Sequence, residues 1–208
     1  MQDWYVIINS LAGSGKTMDL WEEASLQLKE SGIGFKAVVT EFSGHCNRLA
    51  VKAVENGYRN FIAVGGDGSV HEMLNGIMSA ASHLSIPSED FVIGVLPAGT
   101  GNDWLRSLGI KGGVKQVVSL IRNEFFIYQD LVKVKGSDGR VSYMVNIGGV
   151  GFDSIVCNKV NSMRGQVRNR KRSYLSTLID ALVESNAIDL EITADDNPIF
   201  NGRCYSIA

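Results

Sequence analysis

The sequence predicts an α/β protein: an open, mostly parallel sheet flanked by helices, followed by part of a β-rich, sandwich-like domain. Three observations carry this. Short apolar runs alternate with amphipathic stretches through the first 124 residues, as strands covered by helices do. Two of those apolar runs end in glycine turns that each hold one aspartate. Beyond Glu124 the pattern changes to paired strand-like runs around tight turns.

Taken in order, strands are expected near 5–9, 35–40, 61–64 and 91–96, where β-branched and aromatic residues cluster. Helices are expected near 18–31, 46–56, 69–82 and 114–123, with a short helical piece starting near Asn102. Residues 84–90, with Pro87, read as a polar connection. The nucleotide-scale first domain thus spans 1–124. In the second, 125–208, strands are expected at 125–134 and 140–147 around Gly136-Ser137-Asp138-Gly139, then a helix at 173–185 and strands at 188–193 and 203–208. The last run has no closing turn, so the natural protein is expected to continue.

Composition narrows the functional classes. A formal net charge of −2 gives no global basic field for nucleic acid. Cys46, Cys157 and Cys204 are scattered and include no CxxC pair, which argues against a disulfide framework or structural zinc and fits a reducing, cytoplasmic compartment. No signal peptide is visible at the N-terminus, and no apolar run reaches the ~18 residues that span a bilayer.

The richest motif is Gly65-Gly66-Asp67-Gly68-Ser69, between an apolar run and a helical pattern. Its glycines let backbone N–H groups approach a ligand, and the helix start adds unpaired donors and a positive dipole end, which suits phosphate. Asp67 can hold Mg²⁺ or orient a hydroxyl. Glu72, one turn into the helix, reads as a solvated residue or a ribose contact. His71 reads as a packing or surface residue rather than a base. The second motif, Pro97-Ala98-Gly99-Thr100-Gly101-Asn102-Asp103, follows the next strand, so both turns fall on the carboxyl edge of the sheet where ligands bind. Thr100 can donate to a phosphate, and Asn102 can cap a helix or touch the nucleotide. After the first strand, Asn9-Ser10-Leu11-Ala12-Gly13-Ser14-Gly15-Lys16-Thr17 ends like a Walker A loop, but Ser10 stands where its first glycine belongs. The weaker reading is a Gly/Ser turn, with Gly13, that joins the same phosphate site. No GxGxxG occurs.

Together these motifs, with Asp130, Asn146-Ile147-Gly148-Gly149-Val150-Gly151-Phe152-Asp153 and Arg172-Ser173-Tyr174-Leu175, resemble the diacylglycerol kinase catalytic domain family, which includes bacterial lipid kinases and the sphingosine and ceramide kinases. The resemblance implies an α/β nucleotide domain like that of NAD kinase and phosphofructokinase. It implies ATP and Mg²⁺, and transfer of the γ-phosphoryl to a lipid hydroxyl, of diacylglycerol or a related lipid, at a membrane surface. Asn9, Gly65, Gly66, Gly68, Ser69, Glu72 and Thr100 would line the nucleotide site, with Gly99, Gly101 and Asn102 in the second turn. Asp67 would sit beside the transferring phosphate, as metal partner or base. Asp67, Asp103 and Asp130 resemble an acidic network that places Mg²⁺, partly through water, and Asp153 would face the acceptor lipid. The family usually carries Asn-Pro where this chain has Asn9-Ser10, and its acidic base lies beyond residue 208. The basic stretch 164–172 reads either as a solvated loop or as a docking edge for anionic headgroups. A homodimer is possible. The rival readings are an NAD kinase, which shares the Gly-Gly-Asp-Gly turn, and a non-catalytic nucleotide-binding regulator.

Overall fold

The computed structural model describes residues 3–12, 16–98, 102–110, 113–152, 154–156, 158–159 and 186–208. They form two compact units, Met1–Asn146 and Ile147–Ala208.

The first unit is a four-stranded parallel sheet in the order β2-β1-β3-β4. Its strands are β1 (Trp4–Ile8), β2 (Phe35–Val39), β3 (Asn60–Gly65) and β4 (Val92–Pro97). Each falls within a residue or so of its predicted place, because β1 and β3 are buried on both faces and read as unbroken apolar runs. The helices are α1 (Thr17–Glu30), α2 (His45–Glu55), α3 (Asp67–Leu84), the short α4 (Asp103–Ser107) and α5 (Val114–Arg122).

Alternation along the strands builds two cores. Tyr5 and Ile7 of β1, with Phe61 and Ala63 of β3, pack under α2 and α3 through Ala50, Val54, Met73 and Ile77. Trp4, Val6 and Ile8, with Ile62 and Val64, face the other way, onto Leu28 of α1 and Val117, Val118 and Ile121 of α5. The helices therefore cover both faces and leave the strand ends open, which is the arrangement that places a ligand at the carboxyl edge.

A hairpin of β5 (Val132–Lys135) and β6 (Val141–Met144) completes the first unit. The sequence predicts a strand over 125–134, yet only its last residues pair. Residues 125–131 have no ladder partner. The hairpin belongs with the sheet domain because Asn75 of α3 binds its backbone: Asn75 Oδ1 accepts from Tyr143 N at 2.8 Å and Nδ2 donates to Tyr143 O at 2.9 Å. The first compact unit accordingly runs past residue 124 to Asn146.

In the second unit, β7 (Val150–Gly151) pairs antiparallel with β10 (Ser206–Ile207), and β8 (Ile188–Ala194) with β9 (Asn197–Cys204). β9 begins well before the predicted 203, since Asp195 and Asp196 adopt positive φ and turn the chain back at once. The predicted helix at 173–185 lies outside the described residues.

The approach of α2 and α3 depends on Gly76. A Cβ there would collide with the Asn47 carbonyl oxygen and come within 2.9 Å of the Ala50 methyl. We predict that Gly76→Ala, which gains about 1 kcal/mol of helix propensity, still lowers stability by a net ~1–3 kcal/mol through overpacking; urea unfolding checks this, and a stabilised variant would contradict the packing described.

Candidate active site at the carboxyl edge of the sheet

Strand order fixes where a ligand can bind. After β1 the chain crosses to β2 on one side, and after β3 it crosses to β4 on the other. The point between β1 and β3 is therefore the topological switch point, outside whose carboxyl strand ends ligands bind in open α/β sheets. The sequence places Asn9 after β1 and the Gly65-Gly66-Asp67 turn after β3, so both lie at that switch point.

The two loops are stitched together. Asn9 Nδ2 donates to Ser69 Oγ at 3.0 Å, and Asn9 Oδ1 accepts from Leu11 N at 3.1 Å in an Asx turn. Asn9 N reaches Val64 O at 2.9 Å. Ser69 is buried, and a Cβ on Gly65 would collide with its hydroxyl. Glycine at 65 is thus what lets the first turn of α3 fold down beside the end of β1.

Gly66, in extended conformation, precedes α3 and supplies no side-chain cap. Its carbonyl accepts from Ser69 N and Val70 N at 2.9 and 3.2 Å. Among the described residues, the N–H groups of Asp67 and Gly68 have no backbone acceptor. Among the described residues, a Cβ on Gly68 would meet nothing within 4 Å. N–H groups without a backbone acceptor at the positive end of an 18-residue helix can receive an anion.

Asp67 connects this turn to the second glycine motif. Its Oδ2 accepts from Asp103 N and its Oδ1 from Trp104 N, both at 3.1 Å. The carboxylate therefore caps α4 from another element, where Asn102 offers no side-chain cap and holds a left-handed φ of 54°. A further bond, Ala98 N to Gly65 O at 2.9 Å, joins the ends of β4 and β3. The rest of α4 is anchored by Trp104, whose Nε1 donates to Gln129 Oε1 at 2.8 Å, while Gln129 Nε2 donates to Val145 O at 2.6 Å.

The acidic residues are not assembled as a direct metal cage. Asp103 meets Asp67 only through its backbone N–H, and its exposed side chain pairs with Arg106 at 3.3 Å. Asp130 is exposed. Among the described residues no group of three His, Cys, Asp or Glu side chains could hold a metal ion. Glu72 is half-buried one turn into α3, and its carbonyl accepts from Asn47 Nδ2 at 3.3 Å. His71 is exposed and lies beside the Asn75 amide. Within the Walker-like stretch, Thr17 is fully buried and donates to Ala12 O at 2.7 Å. Gly13, Gly99, Thr100, Gly101, Asp153 and the basic stretch 164–172 lie outside the described residues.

Three supporting residues escape a motif-based reading. Asn75 stands four and eight residues beyond His71 and Asp67, on one helix face, and that spacing is the signal for it. Gln129 has no sequence signal. Cys46 packs against the first turn of α3, with Sγ 3.5 Å from Ser69 O, and burial followed by the nearby Glu72 charge pushes its thiol up to about 12.

These features match a known family. The model of the diacylglycerol kinase catalytic domain matches residues 3–134. The chain belongs to that family. A diacylglycerol kinase of Mycobacterium tuberculosis is 26% identical over 175 residues, covering 84% of this chain and 53% of that protein. One from Staphylococcus epidermidis is 26% identical over 198 residues, covering 95% and 58%. A Dictyostelium discoideum sphingosine kinase B is 26% identical over 117 residues, 56% of this chain and 15% of that one. The crystal structure of a diacylglycerol kinase from Bacillus anthracis superposes with a TM-score of 0.63 at 19% identity, covering 98% of this chain and 62% of that chain, which establishes the shared fold. The chain spans about half the length of the curated relatives it matches.

Within this family member, Asp67→Ala removes both acceptors of the α4 cap. It should cost ~0.5–2 kcal/mol, with Asp67→Asn, which keeps one carbonyl oxygen, losing less; urea midpoints test the order. The raised Cys46 thiol gives a second expectation. The protonated thiol is the folded form, so its contribution is intact below pH 9 and is lost as pH climbs from 9 through about 12, where the unfolded chain ionises first. Iodoacetamide at pH 8, read by mass spectrometry, should modify the half-buried Cys204 and spare Cys46 until the protein unfolds.

Proposed function

We propose that this chain provides the nucleotide-binding and phosphoryl-positioning part of an ATP-dependent lipid kinase, acting on the hydroxyl of diacylglycerol or a related lipid. The observation that carries this reading is the set of contacts beside the β1/β3 switch point: Asn9 bound to Ser69, and the start of α4 held by Asp67 at the start of α3. Family membership supports the reaction class.

ATP with Mg²⁺ supplies a transferable γ-phosphoryl group and neutralises its charge. The protein's part in phosphoryl transfer is positioning and electrostatics. The Asp67 and Gly68 N–H groups receive phosphate oxygens, with no side chain in the way at 66 or 68. Asn9 and Ser69 hold the wall of the site. Glu72 is on the helix turn that follows, where its carboxylate receives a ribose hydroxyl. Asn102 lies on the second turn, and the sequence adds Gly13, Gly99, Thr100 and Gly101 to the same wall. Each Asp67 oxygen already accepts one N–H bond and keeps acceptor capacity for a metal-bound water or the acceptor hydroxyl. Asp103 and Asp130 serve through water, because no direct ligand cluster forms among the described residues. Asp153 belongs to the acceptor side on sequence alone.

The acceptor is met at a bilayer surface, so the protein acts in the cytoplasm as a peripheral enzyme. No helix among the described residues is long and apolar enough to cross a membrane.

The test separates binding from transfer. Gly68→Ala fills open space, so its stability should stay within about 0.5 kcal/mol of wild type. Its MgATP affinity, measured by calorimetry, should fall by roughly tenfold or more, as expected when a backbone donor is screened. In the natural-length protein, with γ-labelled ATP, Mg²⁺, diacylglycerol micelles and NAD offered together, label should enter the lipid and vanish in Asp67→Ala. Label in NAD, or full MgATP affinity in Gly68→Ala, would contradict the proposal.

A further inference from the structure

Two side-chain amides stand along β6 where another strand would lie. Tyr143 pairs with Lys133 of β5, and its N–H and C=O are both taken by Asn75 of α3. By the two-residue period of a strand, the C=O of Val145 points the same way, and Gln129 Nε2 donates to it at 2.6 Å. Tyr143 and Val145 also pack onto the core under α2 and α3.

Each amide is engaged at its other end as well. Asn75 Oδ1 also accepts from Ser142 Oγ at 3.2 Å, and Nδ2 also donates to His71 O, one turn back in α3, at 2.8 Å. Gln129 Oε1 accepts from the indole N–H of Trp104, a buried residue of α4. Trp104 N is in turn held by Asp67, the first residue of α3. The bonds close a circuit: from Asp67 through Trp104 and Gln129 to Val145, then along β6 to Tyr143, across to Asn75 and back down α3. Asn75 stands eight residues after Asp67, about 12 Å along the helix axis, so it touches no ligand at the start of α3. In a closed network, a shift of one member strains the others, and deletions do not add as separate bonds do.

We propose that Asn75 and Gln129 are positioning residues, which hold the starts of α3 and α4 in register through β6 and couple the hairpin energetically to the start of α3. Coupling is reciprocal: what loosens β6 loosens the Asp67 contacts, and what occupies the start of α3 tightens β6. The consequence for nucleotide rests on the reading proposed above; the circuit itself does not.

Residue-resolved amide exchange by NMR tests the circuit without nucleotide. Rates are taken relative to the slowest amides of β1 and β3, which carry any loss of global stability. Gln129 is exposed, so Gln129→Leu removes its bonds while the fold is kept. It should speed exchange of the Asp103 and Trp104 N–H groups by about fivefold or more, and Asp67→Ala should speed that of Tyr143 N–H by a similar factor. At Tyr143 the double variant should exchange more slowly than the product of the two single effects requires, because the first cut has already opened the circuit. Tyr143 exchange unmoved by Asp67→Ala, or strictly multiplicative effects in the double variant, overturns the proposal. Saturating MgATP adds a second arm. It should slow exchange over both 65–70 and 141–145 in the wild type, and in Gln129→Leu the response of 141–145 should shrink while that of 65–70 remains. Equal responses of 141–145 in the two proteins overturn the proposal. MgATP without effect on 65–70 in either protein would count against the nucleotide reading alone, and the nucleotide-free rates would then decide the circuit.

Discussion

The site depends on one carboxylate. Asp67 is the first residue of α3, and it accepts the first two N–H groups of α4, thirty-odd residues later in the chain. α4 has five residues and a left-handed residue before it, so it has little stability of its own. A charge-assisted pair of bonds from a neighbouring helix supplies the cap that its own sequence lacks. The same pair holds the start of α4 beside the start of α3. An aspartate on a glycine-rich turn is usually considered for its metal or its proton; here its geometry first joins the starts of two helices.

Small residues make room for that arrangement. Gly65 allows Ser69 to fold against the end of β1, and Gly76 allows α3 to lie close on α2. With α3 so held, its N-terminus is presented at the switch point. The bonds of Asn9 to the Ser69 hydroxyl, and of Asn47 and Asn75 to backbone carbonyls, then fix α3 to three neighbours: the β1 loop, α2 and the hairpin. The donors proposed to receive an anion at the start of α3 would thus need little rearrangement, which is how electrostatic preorganisation arises.

Much of this was legible in the residues. The parallel strands were visible because β1 and β3 are buried on both faces and carry unbroken apolar runs, and α3 and α5 because their apolar residues recur at helical spacing. The two glycine motifs pointed to the proposed site, since a strand followed by glycine and a helix start has few other uses. What stayed hidden is tertiary. Nothing in the local sequence of Asp67 says that its oxygens meet Asp103 N and Trp104 N, or that Gln129 joins Trp104 to Val145. The segment 125–131 shows the converse: its strand propensity is real, but propensity without a ladder partner makes no strand. Thr17 is buried and bonded to its own loop, which a Gly-Lys-Thr string at a helix start does not announce.

The central claim is that the two glycine turns act as one anion-binding structure joined through Asp67. Amide exchange of residues 65–70 and 102–104, with and without MgATP, tests it most directly. The account predicts that nucleotide protects both stretches together and that Asp67→Ala uncouples them, leaving protection at 65–70 alone. Protection of neither stretch by MgATP, or joint protection that survives Asp67→Ala, would contradict it.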